Sequence, residues 1–151
     1  MKHAGATAHP PPPAGGVIGV LGLAQRLAVE LEDRVTAQDA DDAARRWRRM
    51  RGRSGVLHTG HSLRDTGSGR IAAATASTTV HFADVSDDEI AAYVATGEPL
   101  SVAGAFTVDG KGGAFVTGIE GDHHNVVGLS LPLVRELTAE LGRSWTDLWA
   151  S

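Results

Sequence analysis

The chain has 151 residues, 42% of them hydrophobic and 21% charged, which suits one domain with a real core and excludes a disordered protein. It has no cysteine, so disulfides, thiolate nucleophiles and Cys-based zinc sites are excluded. The net charge of −4 divides into +6 over residues 45–53, where six arginines stand without an acid, and −10 over the rest. That balance argues against a nucleic-acid partner and leaves one local anion patch.

Residues 1–16 are mostly Ala, His, Pro and Gly, and the prolines at 10–13 predict a disordered polyproline arm. No apolar run reaches the ~18–20 residues a membrane span needs, and no signal-peptide pattern follows Met1. The expectation is a soluble cytoplasmic protein with no membrane partner. Residues 17–38 predict a helical segment, because Leu23, Leu27 and Leu31 stand four apart within 21–34. Asp39 or Asp41 caps a second helix through Met50, with Trp47 and Met50 on its buried side and Gly52 at its end. The arginines then fall in its last turns, where cations suit the carbonyl end; a phosphate-facing patch is the functional alternative.

Residues 56–65 read as a strand, 66–69 as a turn and 70–85 as a long strand or pair of strands. Ser86-Asp87-Asp88-Glu89 is a capping box opening a helix with Ile90, Tyr93 and Val94 inward, stopped by Gly97. Residues 100–108 and 114–119 predict strands around the turn Gly110-Lys111-Gly112-Gly113. Ser130 caps a last helix with Pro132 in its first turn and Gly142 beyond its end; residues 143–151 form a tail. This order predicts an α/β fold with a layer of helices on each side of a sheet.

The candidate chemistry is sparse. His58 and His61, three apart on a strand, point to opposite faces and do not share an ion. His123 and His124 lie in an expected loop with Glu120 and Asp122. Adjacent histidines seldom chelate one metal and no zinc spacing is present, so no metal site is expected there. No nucleophile elbow is present, since Gly67-Ser68-Gly69 falls in a hairpin turn. The glycine turn matches neither a dinucleotide fingerprint nor a P-loop; its backbone amides, with Lys111 beside them, could still meet a phosphate or a base. Asp109, just before it, is either a turn former or a pocket acid. A carboxylate only accepts hydrogen bonds, so in a pocket it favours a base edge that presents donors, such as guanine N1–H and its 2-amino group or the 4-amino group of cytosine.

One set of residues resembles a known family. Gly97-Glu98-Pro99-Leu100, Ala103-Gly104-Ala105-Phe106, Asp109-Gly110-Lys111-Gly112 and the run Gly121-Asp122-His123-His124-Asn125-Val126-Val127-Gly128-Leu129 stand in the order and spacing of the Maf family of nucleoside triphosphate pyrophosphatases. Asp88-Glu89-Ile90, Tyr93, Thr78, Val80, Phe82, Gly52-Arg53 and Thr59-Gly60 extend the resemblance over residues 39–142. It implies a mixed, strongly twisted sheet flanked by helices, like that of the Maf and inosine-triphosphatase folds. It also implies hydrolysis of a nucleoside triphosphate to the monophosphate and diphosphate with a divalent Mg or Mn ion, in the service of clearing non-standard nucleotides. Asp109, Gly110, Lys111 and Gly112 are then substrate-binding residues, with Asp109 helping to choose the base. Gly97, Glu98, Pro99, Gly104, Asn125 and Gly128 are motif residues, Glu98 either a site acid or a structural one.

The family's Ser-x-Ser-Pro-Arg-Arg, its catalytic Asp and its Gly-Lys-Pro do not appear; Val35-Thr36-Ala37-Gln38 stands where Gly-Lys-Pro is expected. No catalytic residue is assigned. The chain reads as the C-terminal portion of such an enzyme, with a sheet incomplete on its N-terminal side that a homodimer could cover. Its activity is then weak or lost. The alternatives are a non-catalytic nucleotide- or partner-binding remnant and an anion binder built on the arginine cluster.

Overall fold

A computed structural model describes the backbone of residues 18–28 and, with side chains, residues 36–149. The Pro-rich arm at 1–16 and the second part of the predicted 21–34 helix lie outside the described residues.

The first element is strand β1 (Ile18–Ala28), which corrects the helix expected from residue 21. A leucine spacing of four is a multiple of two as well as near one helical turn, so it satisfies either period. What decides is pairing: β1 runs antiparallel along β2 (Ser54–Asp65), with Leu23 opposite His61 and Leu27 opposite Leu57. Between them α1 (Ala40–Met50) is capped by Asp39, whose Oδ1 accepts the Asp42 amide at 2.8 Å. β3 (Ile71–Phe82) is one long strand antiparallel to β2, followed by α2 (Asp87–Ala95), where both bonds of the Ser86/Glu89 capping box are formed.

The segment after α2 is not the strand predicted at 100–108. One turn of 3-10 helix, Glu98–Leu100, leads into a bend where Gly104 and Ala105 take φ of +74° and +61°. Two consecutive left-handed residues cannot lie in a ladder. The indole N–H of Trp47 holds the bend by donating to the Ala105 carbonyl at 2.8 Å. A second 3-10 turn, Lys111–Phe115, precedes a short β4 (Val116–Glu120) on the far edge of β3. Then come a five-residue helix α3 (His123–Val127), where a loop was expected, and α4 (Leu131–Glu140), capped by Ser130.

The described sheet has the order β1-β2-β3-β4 and is antiparallel throughout. Alternate residues of β2 and β3 are buried, so one sheet face is the core face. On it Leu57, Val80 and Phe82 pack with Trp47 and Met50 of α1, Ile90 and Tyr93 of α2 and Val126 of α3. Leu63 and Ala72 pack with Val134, Leu137 and Leu141 around α4. The described helices thus all lie on this one face, which corrects the expectation of a layer on each side. Trp47, fully buried, meets Phe82, Tyr93 and Phe115 edge-on at 5.5–5.7 Å.

The opposite face is polar. His81 bridges Ser54 (through Nδ1) and Glu120 (Nε2 to Oε1, 2.7 Å), and His58 Nδ1 lies 2.7 Å from the Ser77 hydroxyl. The arginine cluster is engaged at home. Arg45 and Arg46 pair with the buried Asp42, and Arg48 and Arg51 reach Asp87 at 3.3 and 3.0 Å.

Candidate functional site

Gly97 ends α2 at φ +77°, and the chain turns so that Glu98 points back under the glycine turn. Its Oε1 accepts the Tyr93 hydroxyl at 2.7 Å, the Thr107 hydroxyl, and the Gly112 amide at 3.1 Å; its Oε2 accepts the Lys111 amide at 3.1 Å. The Thr107 hydroxyl does most to hold this carboxyl down, against the opposing effect of burial; with Tyr93 and the two amides it lowers the pKa to about 2. Tyr93 is pushed well above the usual phenol range, first by burial and then by the anion it faces.

Glu98 therefore fills the amide nest that the sequence offered to a phosphate or base: the Lys111 and Gly112 N–H groups are already bonded to it. The glycines follow from the same close approach. A Cβ on Gly110 would stand 2.5 Å from Thr107 Oγ1 and 2.7 Å from Glu98 Oε1, and one on Gly112 would stand 2.4 Å from the Tyr93 hydroxyl. On Gly113 it would meet the Val108 carbonyl oxygen at 2.5 Å. The turn is packed onto its own carboxylate.

This packing holds Asp109, exposed, at the lip of a cavity of about 350 Å³. Val102, Phe106, Val126 and Val127 supply apolar wall; Ser101, Thr107 and Asp109 supply polar atoms, and no Lys or Arg lines it. The bend fixed by Trp47 brings Phe106 to it, and the ring of Phe106 sits edge-on to Phe82 at 5.0 Å. Gly110, Lys111 and Gly112 do not line the cavity, although the sequence grouped them with Asp109. A wider groove of about 860 Å³ between α4 and the Trp145–Trp149 turn contains none of the residues singled out by sequence.

The other wall comes from α3, and Asn125 anchors that helix to the sheet. Its buried side-chain nitrogen donates to the Leu57 carbonyl at 3.3 Å and to Thr78 Oγ1 at 3.1 Å, and Thr78 donates to the Asp122 carbonyl at 2.9 Å. Gly128 closes the helix at φ +141°. Asp122 is the N-cap: its Oδ1 accepts the His124 amide at 3.1 Å and lies 2.9 Å from His124 Nδ1. Burial opposes the charge of Asp122, but hydrogen bonds from Ser130 and His124 outweigh it and hold the carboxyl below its usual range. The imidazoles of His123 and His124 stack with centroids 4.0 Å apart. One ligating atom from each of Asp122, His123 and His124 lies within 4.8 Å of the others, so the fold gathers residues that the sequence placed in a loop without a metal site.

His61 was read as an ordinary strand histidine apart from His58, and the two do point to different faces. Yet His61 is only 2% exposed and joins β2 to the start of α4. Its Nδ1–H donates to the Thr59 carbonyl and its Nε2 accepts the Ser130 amide, both at 2.9 Å. The alternation of β2, which puts odd-numbered residues inward, is the one signal in the sequence that could have marked it.

Fold and site together define an α/β chain with a cavity of nucleoside size, a carboxylate at its lip and a glycine turn held by Glu98. A family profile described as Maf-like protein matches residues 16–141, beginning upstream of the resemblance found at residue 39 and including β1. The chain belongs to the Maf-like family. It is 64% identical over 124 residues to a nucleoside triphosphate pyrophosphatase of Salinispora tropica, covering 81% of this chain and 55% of that protein. With proteins of the same name it is 62% identical over 112 residues in Streptomyces coelicolor (74% of this chain, 54% of that one) and 55% over 130 residues in Streptomyces avermitilis (86% and 63%). The chain thus spans between half and two thirds of the length of these relatives. No helix among the described residues is long and apolar enough to cross a membrane.

Proposed function

We propose that this chain carries the base-recognising part of a nucleoside triphosphate pyrophosphatase, and that alone it binds nucleotides while releasing diphosphate weakly or not at all. The observation that carries this reading is Asp109 at the lip of a 350 Å³ cavity that Ser101 and Thr107 line beside Val102, Phe106, Val126 and Val127. That size falls within the range of small-ligand pockets, and the polar atoms of Ser101, Thr107 and Asp109 can orient a base placed there. Asp109 accepts hydrogen bonds only, which favours the N1–H and 2-amino donors of a guanine-like or modified base over thymine or uracil.

Splitting NTP to NMP and diphosphate demands charge neutralisation along the phosphates and a base for the attacking water. No cation lines the cavity, and β1 reads Ile-Gly-Val-Leu-Gly-Leu-Ala-Gln-Arg-Leu-Ala, without a carboxylate. Removing a single transition-state donor already costs about 3–4 kcal/mol. The Mg or Mn implied by the family seeks oxygen ligands, commonly one or two carboxylates plus substrate phosphates. Asp109 is the lone carboxylate lining the cavity and is taken by the base in this reading, so the cavity has no carboxylate left for that ion. A cytoplasmic place of action accords with the absence of cysteine.

The test measures diphosphate release and equilibrium binding side by side, across GTP, dTTP, UTP and modified triphosphates with Mg²⁺. Binding that prefers guanine-type bases, with release near the no-enzyme rate, is expected. Release well above background would overturn the catalytic half of the reading; preference for dTTP would overturn its base assignment.

A further inference from the structure

We propose that Asp122, His123 and His124 form a binding site for a divalent transition-metal ion such as Zn²⁺, Ni²⁺ or Co²⁺. The site is distinct from the nucleotide cavity and does not rest on the pyrophosphatase reading. Two imidazoles and a carboxylate are a nitrogen-rich donor set of the kind Zn²⁺, Ni²⁺ and Cu²⁺ prefer, unlike the all-oxygen surroundings of Mg²⁺. The spacing fits. Two ligands each ~2.1 Å from one ion stand about 3.0 Å apart at the right angle of an octahedral ion and about 3.4 Å apart at the tetrahedral angle of zinc, so the pair needs to open by about 0.5 Å at most. Asp122 Oδ1 and His124 Nδ1 are 2.9 Å apart, so an ion can replace the proton now shared between them. The third donor, from His123, lies within 4.8 Å of both, and its ring stacks against that of His124 at 4.0 Å. His123 is exposed, and its ring leaves the stack on His124 to close the remaining distance.

The carboxylate is the rigid member. Asp122 has a side chain 19% exposed and caps α3, while the His124 side chain is 42% exposed. Its main-chain carbonyl is held by Thr78 at 2.9 Å, and Asn125, next to His124, is bonded to β2 and β3. The ligands therefore project from a turn fixed to the sheet, which limits the ordering cost of binding. Three protein ligands leave the outer coordination positions to water.

The experiment uses the untagged full chain with His3→Gln throughout, because Met1-Lys2-His3 would itself chelate Cu²⁺ through its amino terminus; it titrates Zn²⁺ in competition with a chromophoric chelator and reads Cu²⁺ by electron paramagnetic resonance. One ion per chain is expected, with two nitrogen couplings on copper. His123→Gln and His124→Gln should each weaken Zn²⁺ by roughly 10–100-fold, at least the loss seen for outer-shell partners, and each should remove one nitrogen coupling. Asp122→Asn keeps a good N-cap, so the helix stays while affinity falls. His58→Gln and His81→Gln, on the opposite sheet face, should leave binding unchanged. The proposal is overturned if the His123/His124 double variant or Asp122→Asn binds like the wild type, or if the wild type binds no ion more tightly than that double variant.

Discussion

The Tyr93 hydroxyl lies 2.7 Å from Glu98 Oε1, and that bond ties the last turns of α2 to the turn that presents Asp109. The same carboxylate receives Thr107 and two backbone amides, so its negative charge is what the turn is built around. Glu98→Gln keeps the shape, but its amide nitrogen must face a donor. Charge-assisted bonds of this kind contribute about 1.5–3 kcal/mol, and a fall of that order in unfolding free energy is expected, with weaker nucleotide binding. The pH dependence has a definite sign. The folded-state pKa of about 2 lies below the ordinary 4.5, so the contribution is complete above pH 4.5 and is lost as pH falls toward 2. Urea unfolding of both proteins between pH 6 and 2.5 should show their difference shrinking in acid.

Gly112→Ala tests the close approach of the turn to Tyr93. The new methyl would lie 2.4 Å from the phenol oxygen and 3.0 Å from the Thr107 carbonyl oxygen. Overpacking of this kind costs about 1–3 kcal/mol. Combining it with Tyr93→Phe removes the nearest clashing atom, so the double variant should lose less than the two single losses added together. Thermal unfolding of the four proteins decides it; strict additivity would mean that the turn moves away from Tyr93 without penalty.

His61 donates through Nδ1 to the Thr59 carbonyl and accepts the Ser130 amide through Nε2. His61→Leu puts an apolar side chain in place but strands the Ser130 amide, at about 1–3 kcal/mol for an unmet group. Faster hydrogen exchange at the Ser130 amide, together with loss of unfolding free energy, is the expected outcome. Unchanged exchange there would show that the amide finds another acceptor.

Asp109→Asn replaces an acceptor with a group that both donates and accepts. If Asp109 reads a donor edge, guanine nucleotides should bind about 10-fold more weakly, the loss of one charge-assisted bond, while uracil nucleotides lose nothing or gain. Equal weakening for every base would assign Asp109 to the turn and not to recognition. Glu98 and Gly112 keep the turn in place in this variant, which makes it a test of chemistry and not of folding.

Much of the local structure is legible in the chain. Asp39, the Ser86/Glu89 box and Ser130 start helices because their side chains meet the free amides of a first turn, and that bond needs only four residues. The Thr-rich run through 82 became one strand for equally local reasons. Residues 21–28 and 100–108 were misread because their outcome is set at a distance. β1 depends on its pairing with β2, and the bend at 104–105 depends on Trp47, 58 residues away. The helix α3 escaped notice because Asp122 and Gly128 bracket only five residues, too few for a periodic pattern to show.

Of the site, the sequence alone determined which groups are available: a lone carboxylate beside a glycine turn, a Glu after a helix stop, paired histidines, and no thiol. Side-chain chemistry and short-range hydrogen bonding are written in single residues and tetrads, so they survive without the fold. Tertiary structure decided their assignments. Glu98 took the amides that might have held a phosphate, Asp109 was left free at the cavity lip, and His61 turned inward to Ser130 while His123 and His124 came together beside Asp122. Each of those outcomes depends on which distant atom arrives within 3 Å or so, and only the packed chain sets that.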